Sequence, residues 1–191
     1  MLQENSEKED FEKIMVTIEK IVLKLYMMPK IIVSAIQGSA VGLGLSLALT
    51  ADYVIAQSDA KLGVLFMGIG LAPDGGGHFF LSERLGVHKA KQFTWGLQQV
   101  TGKEAKEMGV VDIVTSGDVL EDATEQAQQL LAAPMIAMLK TKLMYHQEKR
   151  AQLEYYLQEE RESQWELRNT EDHKEGVAAF IDKRFPTFKG K

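Results

Sequence analysis

Cysteine is absent from the 191-residue chain, and histidine is scarce. A chain without cysteine has no disulfide framework and no thiolate nucleophile, which excludes disulfide-stapled scaffolds and thiol chemistry. The histidines are scattered, and no two of them have the spacing of metal ligands, so no metal site is predicted. They are His78, His88, His146 and His173.

Long hydrophobic runs are missing too, and no segment reaches the roughly 20 apolar residues that a membrane-spanning helix needs. The N-terminal segment MLQENSEKED is acidic, whereas a signal peptide is basic and then apolar. The net charge of −5 argues against a nucleic-acid surface. These deficits predict a cytoplasmic protein with neither nucleic acid nor membrane as a partner.

Hydrophobic residues make up 45% of the chain, which is enough for a packed core. Apolar residues recur at helical spacing over 6–28, and Pro29 ends that helix. The β-branched run at 30–36 is typical of a buried strand. Further helices are predicted over 43–51, 75–85, 88–96, 102–108, 118–132, 134–168 and 171–184, and further strands over 53–56, 61–66 and 110–114.

The predicted strands are few, short and separated by helices. Parallel strands with open edges make a poor core and invite aggregation. We therefore expect that part of the sheet is lacking from this chain or that another element covers its edge. The pattern divides the chain into an α/β part, residues 1–132, and a helical part, residues 133–191.

A glycine-rich loop, QGSAVGLG at 37–44, leads directly into the short helix predicted from Leu43. A helix N-terminus offers unpaired N–H groups, and glycine lets a ligand approach them. The spacing fits neither the P-loop nor the dinucleotide fingerprint. Two interpretations remain: an oxyanion site in which the Leu43 N–H faces a carbonyl oxygen, and close packing of helix on strand, which this loop alone slightly favours.

Four segments resemble the crotonase (enoyl-CoA hydratase/isomerase) superfamily in their order and spacing, over nearly the whole chain. They are PKIIVSAIQGSAVGLGLSLALTADYVIA, IGLAPDGGGHFFLSERLG, TGKEAKEMGVVDIV and EGVAAFIDKRFPTFKGK. GLAPDGGG is most similar to the branch that contains the phenylacetate-pathway ring-opening isomerase. The resemblance implies an α/β core of repeated ββα turns, incomplete at its N-terminus, with a C-terminal helical region for trimerisation.

The resemblance also implies an acyl-CoA thioester as substrate, with coenzyme A as part of that substrate and no other cofactor. Family members stabilise the thioester enolate with two backbone N–H groups. One corresponds to Leu43, and the other belongs to an N-terminal family segment that this sequence does not contain. The implied assembly is a homotrimer or hexamer. The substrate-binding positions carried over are Gly42, Gly44, Ser46, Leu65, Phe66, Pro73 and Gly75, with Lys183 near the CoA phosphates.

The departures from the family pattern concern the carboxylates. Hydratases of this family activate water with two glutamates, and those positions hold Ser46 and Phe66 here. Neither side chain is an acid, so that pair cannot activate water. The acid in the segment GLAPDGGG, the second glycine-rich loop, is Asp74. The resemblance to the isomerase branch assigns Asp74 to proton transfer. Its alternative role, weighted equally, is the N-cap of the helix after Pro73.

The sequence thus predicts an acyl-CoA isomerase, or a lyase, that uses Asp74 and the Leu43 N–H. The alternative is a truncated or degenerate crotonase that keeps the scaffold and its oligomerisation without catalysis. Phe93 and Trp95 are expected in the core rather than in an acyl pocket. His78 is expected to have no role in the site.

Overall fold

The computed structural model describes residues 2–191, with side chains from residue 7 onward. The strands are β1 Val33–Ile36, β2 Ser39–Val41, β3 Tyr53–Gln57, β4 Lys61–Gly63, β5 Val100–Thr101 and β6 Ile113–Thr115. The helices are α1 Leu2–Tyr26, α2 Leu43–Ala48, α3 Gly77–Trp95, α4 Gly102–Met108, α5 Val119–Leu131, α6 Met135–Leu167 and α7 Glu171–Ile181. A single 3₁₀ turn covers Phe66–Ile69.

The chain winds as a spiral that gives one strand to each of two sheets before it enters a helix. Strands β1, β3 and β6 form a parallel sheet in that order, with Ala35 beside Ile55 and Ile55 beside Ile113. Strands β2, β4 and β5 form the other sheet, in which β5 runs antiparallel to β4. The order β1, β2, α2, then β3, β4, α3 confirms the predicted ββα repeat.

The main core joins the sheets to helices from both ends of the chain. Val22 of α1, Val54 of β3, Leu62 of β4, Phe79 of α3 and Leu153 of α6 are each at most 1% exposed. Burying each side chain of this size contributes about 1.5–3 kcal/mol. Helix α6 therefore shares one buried cluster with the strands, although it lies in the segment predicted as a separate helical part.

A buried ion pair attaches α6 to the start of the first sheet. Lys142 Nζ lies 2.7 Å from Asp52 Oδ2 and donates to the carbonyl of Lys30 at 2.8 Å. Asp52 Oδ2 also accepts from the N–H of Ile32 at 2.8 Å. Each charge is hydrogen-bonded, which is the condition under which a buried pair is tolerated.

The helix boundaries differ modestly from the predicted ones. Helix α1 begins at Leu2 and ends at Tyr26, before Pro29. The helices predicted over 75–85 and 88–96 form one element, α3, which is interrupted at Gly86 with φ 72° and ψ 152°. Phe93 is in the core, as predicted, but Trp95 is 61% exposed, so its predicted core position is wrong.

Short strands account for most of the remaining differences. Strands β2 and β5 were not predicted, because three and two residues are too few to show a strand period. The strand predicted over 110–114 lies at Ile113–Thr115, and the one predicted over 61–66 ends at Gly63. Across residues 2–191, no helix combines the length and apolar character that crossing a bilayer requires.

Helix α7 packs closely on the 3₁₀ turn because Gly176 has no side chain. A Cβ built on Gly176 would lie 2.6 Å from Cα of Ile69 and 2.7 Å from its carbonyl carbon. Both are backbone atoms, so a side chain at position 176 cannot be accommodated by a rotamer change. Glycine inside a helix ordinarily costs about 1 kcal/mol relative to alanine, and here it permits the contact.

We expect Gly176→Ala to lower the free energy of unfolding by about 1–3 kcal/mol, because overpacking outweighs the gain in helix propensity. Urea unfolding of the variant and the parent measures the difference. Gly117→Ala is the control, since a Cβ there meets only Thr115 Oγ1 at 3.5 Å. A Gly176→Ala variant as stable as the parent would contradict the close contact.

Candidate functional site

The first loop of the candidate site is the glycine-rich loop at 37–44, in which Gly42 has a backbone conformation that favours glycine. Gly42 has φ 58° and ψ −128°, and its N–H donates to the carbonyl of Gly63 at 2.9 Å. Its own carbonyl accepts from the N–H groups of Leu45 and Ser46, which opens α2. Among the hydrogen bonds of the described residues, none uses the N–H of Leu43 or of Gly44. Both therefore lack a partner among the described residues.

Ser46 and Phe66, which the family resemblance places at the glutamate positions of hydratases, are engaged in packing around this loop. Ser46 is 2% exposed, and its hydroxyl donates to the carbonyl of Gly42 at 3.5 Å. The Phe66 ring lies 3.4 Å from the position that a Cβ on Gly42 would take. One position holds a buried hydroxyl and the other an aromatic ring, so neither can act as a base toward water.

The second loop touches the first through its glycines. Gly75 has φ 65°, and a Cβ there would lie 2.4 Å from Leu43 Cδ1 and 3.2 Å from Ser46 Cβ. A Cβ on Gly77 would lie 2.9 Å from Ser46 Oγ. The two loops are thus packed face to face, which places the Asp74 turn against the start of α2.

Asp74 carries a carboxyl group that is largely withdrawn from water. Its Oδ1 is buried and has no hydrogen-bond partner among the described residues. Its Oδ2 lies 3.4 Å from Nε2 of Gln164, which donates at 2.7 Å to the carbonyl of Ala72. Burial first, and then the negative charge of Glu160, raise the pKa of Asp74 from 3.8 to about 6. Such a group is a stronger base than an exposed aspartate.

The alternative role of Asp74 as a helix N-cap is wrong, because another carboxylate performs it. The N-cap of α3 is Gly76, and the N–H groups of Gly76 and His78 donate to Glu160 at 2.7 and 3.1 Å. The His78 ring completes the arrangement, with Nδ1 2.8 Å from Glu160 Oε1. His78, predicted to be incidental, therefore belongs to the support of the site.

Glu160 and Gln164 are the residues that the sequence analysis missed. They continue the buried stripe of Leu153 and Leu157 along α6, and all four residues are at most 4% exposed. The spacing of four, three and four residues is that of one helix face. Two polar residues at core positions were the available signal, since buried polar groups need partners elsewhere in the fold.

The remaining predicted site residues are Pro73, Leu65 and Lys183. Pro73 is fully buried, and Leu65 directly precedes the 3₁₀ turn. Lys183 is exposed on the turn after α7, with φ 54°, and none of its described contacts reaches either loop. The substrate-binding roles of all these residues stay predictions.

Known proteins are similar in sequence to this chain over most of its length. The sequence model of the enoyl-CoA hydratase/isomerase family matches residues 1–191. YhaR of Bacillus subtilis, an enoyl-CoA hydratase/isomerase by name, is 43% identical over 99% of this chain and 74% of its own. Two isomerases are each 33% identical: the 1,2-epoxyphenylacetyl-CoA isomerase of Escherichia coli, over 90% of this chain, and the trans-2-decenoyl-[acyl-carrier-protein] isomerase of Streptococcus mutans, over 91%. The chain spans 66% of the length of each.

The structural comparison agrees with the sequence comparison. The crystal structure of an enoyl-CoA hydratase from Mycobacterium avium subsp. paratuberculosis matches with a TM-score of 0.86 at 30% identity. The match covers 94% of this chain and 73% of that one. With its whole length matched by the family model and its crotonase-like α/β spiral shared with a solved hydratase, the chain belongs to the enoyl-CoA hydratase/isomerase family.

Proposed function

We propose that this protein is an acyl-CoA isomerase, which moves a proton between two carbons of an acyl thioester, rather than a hydratase. The observation that carries the proposal is the acid content of the two contacting loops. Over 37–46 and 65–78, the single carboxylate is Asp74. One carboxylate suffices to shuttle a proton, whereas the family's hydratases use two to hold and activate a water.

The proposed reaction begins with the thioester carbonyl oxygen accepting a hydrogen bond from the Leu43 N–H. The Asp74 carboxylate removes a proton from the α-carbon of an acyl group that has a β,γ double bond. The electron pair moves into the thioester, and the resulting dienolate oxygen is stabilised by the N–H donor. Asp74 then returns the proton to the γ-carbon, and the carbonyl forms again with the double bond in the α,β position.

The proposed reaction consumes no water and changes no oxidation state. It therefore calls for no metal and no redox cofactor, and coenzyme A enters only as part of the substrate. A pKa of about 6 suits Asp74 to both steps, because the group is ionised at neutral pH and still binds a proton readily.

Isomerases are among the relatives of this chain. Identity of 33% relates it both to an isomerase named for a CoA thioester and to an isomerase named for an acyl-carrier-protein substrate. A relative named as a hydratase, from Rhodobacter capsulatus, is equally similar at 33%, so the preference for isomerisation depends on Asp74 as the single carboxylate of the two loops. The phenylacetate branch, which GLAPDGGG indicates, supplies the first ring substrates to try. A cytoplasmic location stays a prediction of the sequence.

Asp74→Asn should cut isomerisation by at least about 100-fold, the low end for a positioned base, while the fold is kept. Asparagine preserves the shape of the side chain, and Asp74 does not cap α3. The assay follows the conversion of a 3-enoyl-CoA to its 2-enoyl isomer by the parent and the variant. Each is used as the full polypeptide that its host produces. Full activity in the variant would exclude the base role.

The same preparations, supplied with crotonyl-CoA, test the choice between isomerase and hydratase. Ser46 and Phe66 cannot activate water, so hydration should stay below about 1 per second, the low end of ordinary enzyme rates. Faster hydration by the parent, together with little isomerisation, would overturn the proposed reaction.

Asp74 should also make stability depend on pH in a defined direction. Because its pKa is raised on folding, the folded state binds this proton more tightly than the unfolded state, and the parent loses stability as the pH rises from about 4 through 6. The stability of Asp74→Asn minus that of the parent should therefore increase between pH 4 and pH 7, as measured by urea unfolding. The exposed Asp59→Asn change is the matched control. A stability difference that does not vary with pH would contradict the raised pKa of Asp74 in the folded state.

We also propose that the protein assembles as a homotrimer or hexamer through its C-terminal region. Phe180, Ile181 and Phe185 are 75%, 71% and 95% exposed at the end of α7 and beyond it, which is unusual for a monomer surface. Light scattering at micromolar concentration should give three or six times the chain mass. A double change, Phe180→Ser with Ile181→Ser, should lower that mass. A monodisperse monomer of the parent would contradict the assembly.

A further inference from the structure

Glu160 is a buried carboxylate that serves the Asp74 turn from a distant part of the chain. It is 2% exposed and lies 84 residues from Gly76 in sequence. Three N–H groups surround it: the backbone N–H of Gly76, the backbone N–H of His78 and Nδ1 of the His78 ring. This arrangement suits a carboxylate, which accepts hydrogen bonds through both oxygens.

The charged groups that face Glu160 come from three elements. Asp74 lies on the turn before α3, two residues from the Gly76 N–H that Glu160 binds, and Gln164, one turn further along α6, reaches Asp74 Oδ2 at 3.4 Å. Burial first, and then the charge of Glu160, raise the pKa of Asp74. Glu19 lies on α1; burial raises its pKa most, the charge of Arg161 opposes this rise, and the charge of Glu160 adds a smaller one. Arg161 directs its Nε toward Glu19 Oε1 at 3.4 Å, outside hydrogen-bond geometry. The side chain that contacts Glu160 directly is the His78 ring, on α3.

We propose that Glu160 is the positioning residue of the site: its hydrogen bonds fix the turn after Asp74, and its carboxylate stands as a fixed negative charge facing the Asp74 carboxyl. The catalytic part of this inference rests on the proposed isomerase function. The structural part rests on the contacts between α6 and the turn that carries Asp74.

The fixed charge matters because Asp74 must first take a proton and then return it. A neighbouring negative charge favours the protonated form of a carboxyl and so makes its ionised form a stronger base. The cap also holds the backbone that follows Asp74, which keeps the carboxyl directed at the reacting carbons. Charge and position are therefore separate contributions, and two substitutions at one residue can separate them.

Glu160→Gln removes the charge and keeps the length and one acceptor oxygen. The acid limb of the pH profile of kcat/KM for isomerisation, expected near pH 6 in the parent, should move down by about one pH unit. Glu160→Asp keeps the charge and shortens the reach. It should lower kcat while its acid limb stays where it is in the parent. Glu159→Gln, an exposed change on the same helix, is the matched control and should leave both quantities unchanged. An acid limb that Glu160→Gln leaves in place would show that Glu160 only caps α3.

A measurement without turnover separates this inference from the proposed function. Carbon-13 NMR follows the titration of the Asp74 carboxyl directly, with its signal assigned by its loss in Asp74→Asn. The midpoint should lie near pH 6 in the parent and lower in Glu160→Gln. A shifted midpoint in a protein without isomerase activity would refute the function and keep the inference. An active protein whose Asp74 midpoint is the same in Glu160→Gln as in the parent would support the proposed function and refute the inference.

Discussion

The hydrogen bonds from the start of α3 to the buried Glu160 carboxylate are the constraint on which the site depends. The first N–H groups of a helix have no partner within it, and a buried helix start needs acceptors from elsewhere. The turn GGG at 75–77 has no side chain that could supply one. Glu160 does so from α6, and this leaves the Asp74 carboxyl free of structural hydrogen bonds apart from its long contact with Gln164.

Helix α6 connects the beginning of the sheets to the chemistry of the loops. Near its N-terminus Lys142 pairs with Asp52 at the start of β3, and further along Leu153 and Leu157 enter the main core. Its last turns carry Glu160 and Gln164, which contact the Asp74 turn. A helix of 33 residues spans about 50 Å, so one rigid element fixes both regions relative to each other.

The proposed function assigns separate roles to backbone and side chains in this family fold. The N–H groups at the start of α2 are features of the backbone and do not depend on side-chain identity. In the proposed reaction they stabilise the enolate, and the carboxylates decide what happens to it. Ser46 and Phe66, which the family resemblance places at the hydratase glutamates, are packing groups, and burial raises the pKa of Asp74, which makes it a stronger base.

The sequence by itself determined the long helices and the glycine loops, because periodicity and glycine spacing are local properties. The family and the candidate pair of Asp74 and Leu43 followed from the resemblance of four segments to the crotonase superfamily. It left Asp74 divided between base and cap, placed Trp95 in the core, and gave no role to Glu160. The packing of α6 against the turn before α3 assigns the cap to Glu160, whereas the base role of Asp74 stays a proposal. Trp95, the last residue of α3, is exposed. Strands β2 and β5 were likewise decided by tertiary structure, because strands of two or three residues exist only through hydrogen bonds to a partner strand. Contacts across 84 residues arise from how elements pack, and no local pattern encodes them.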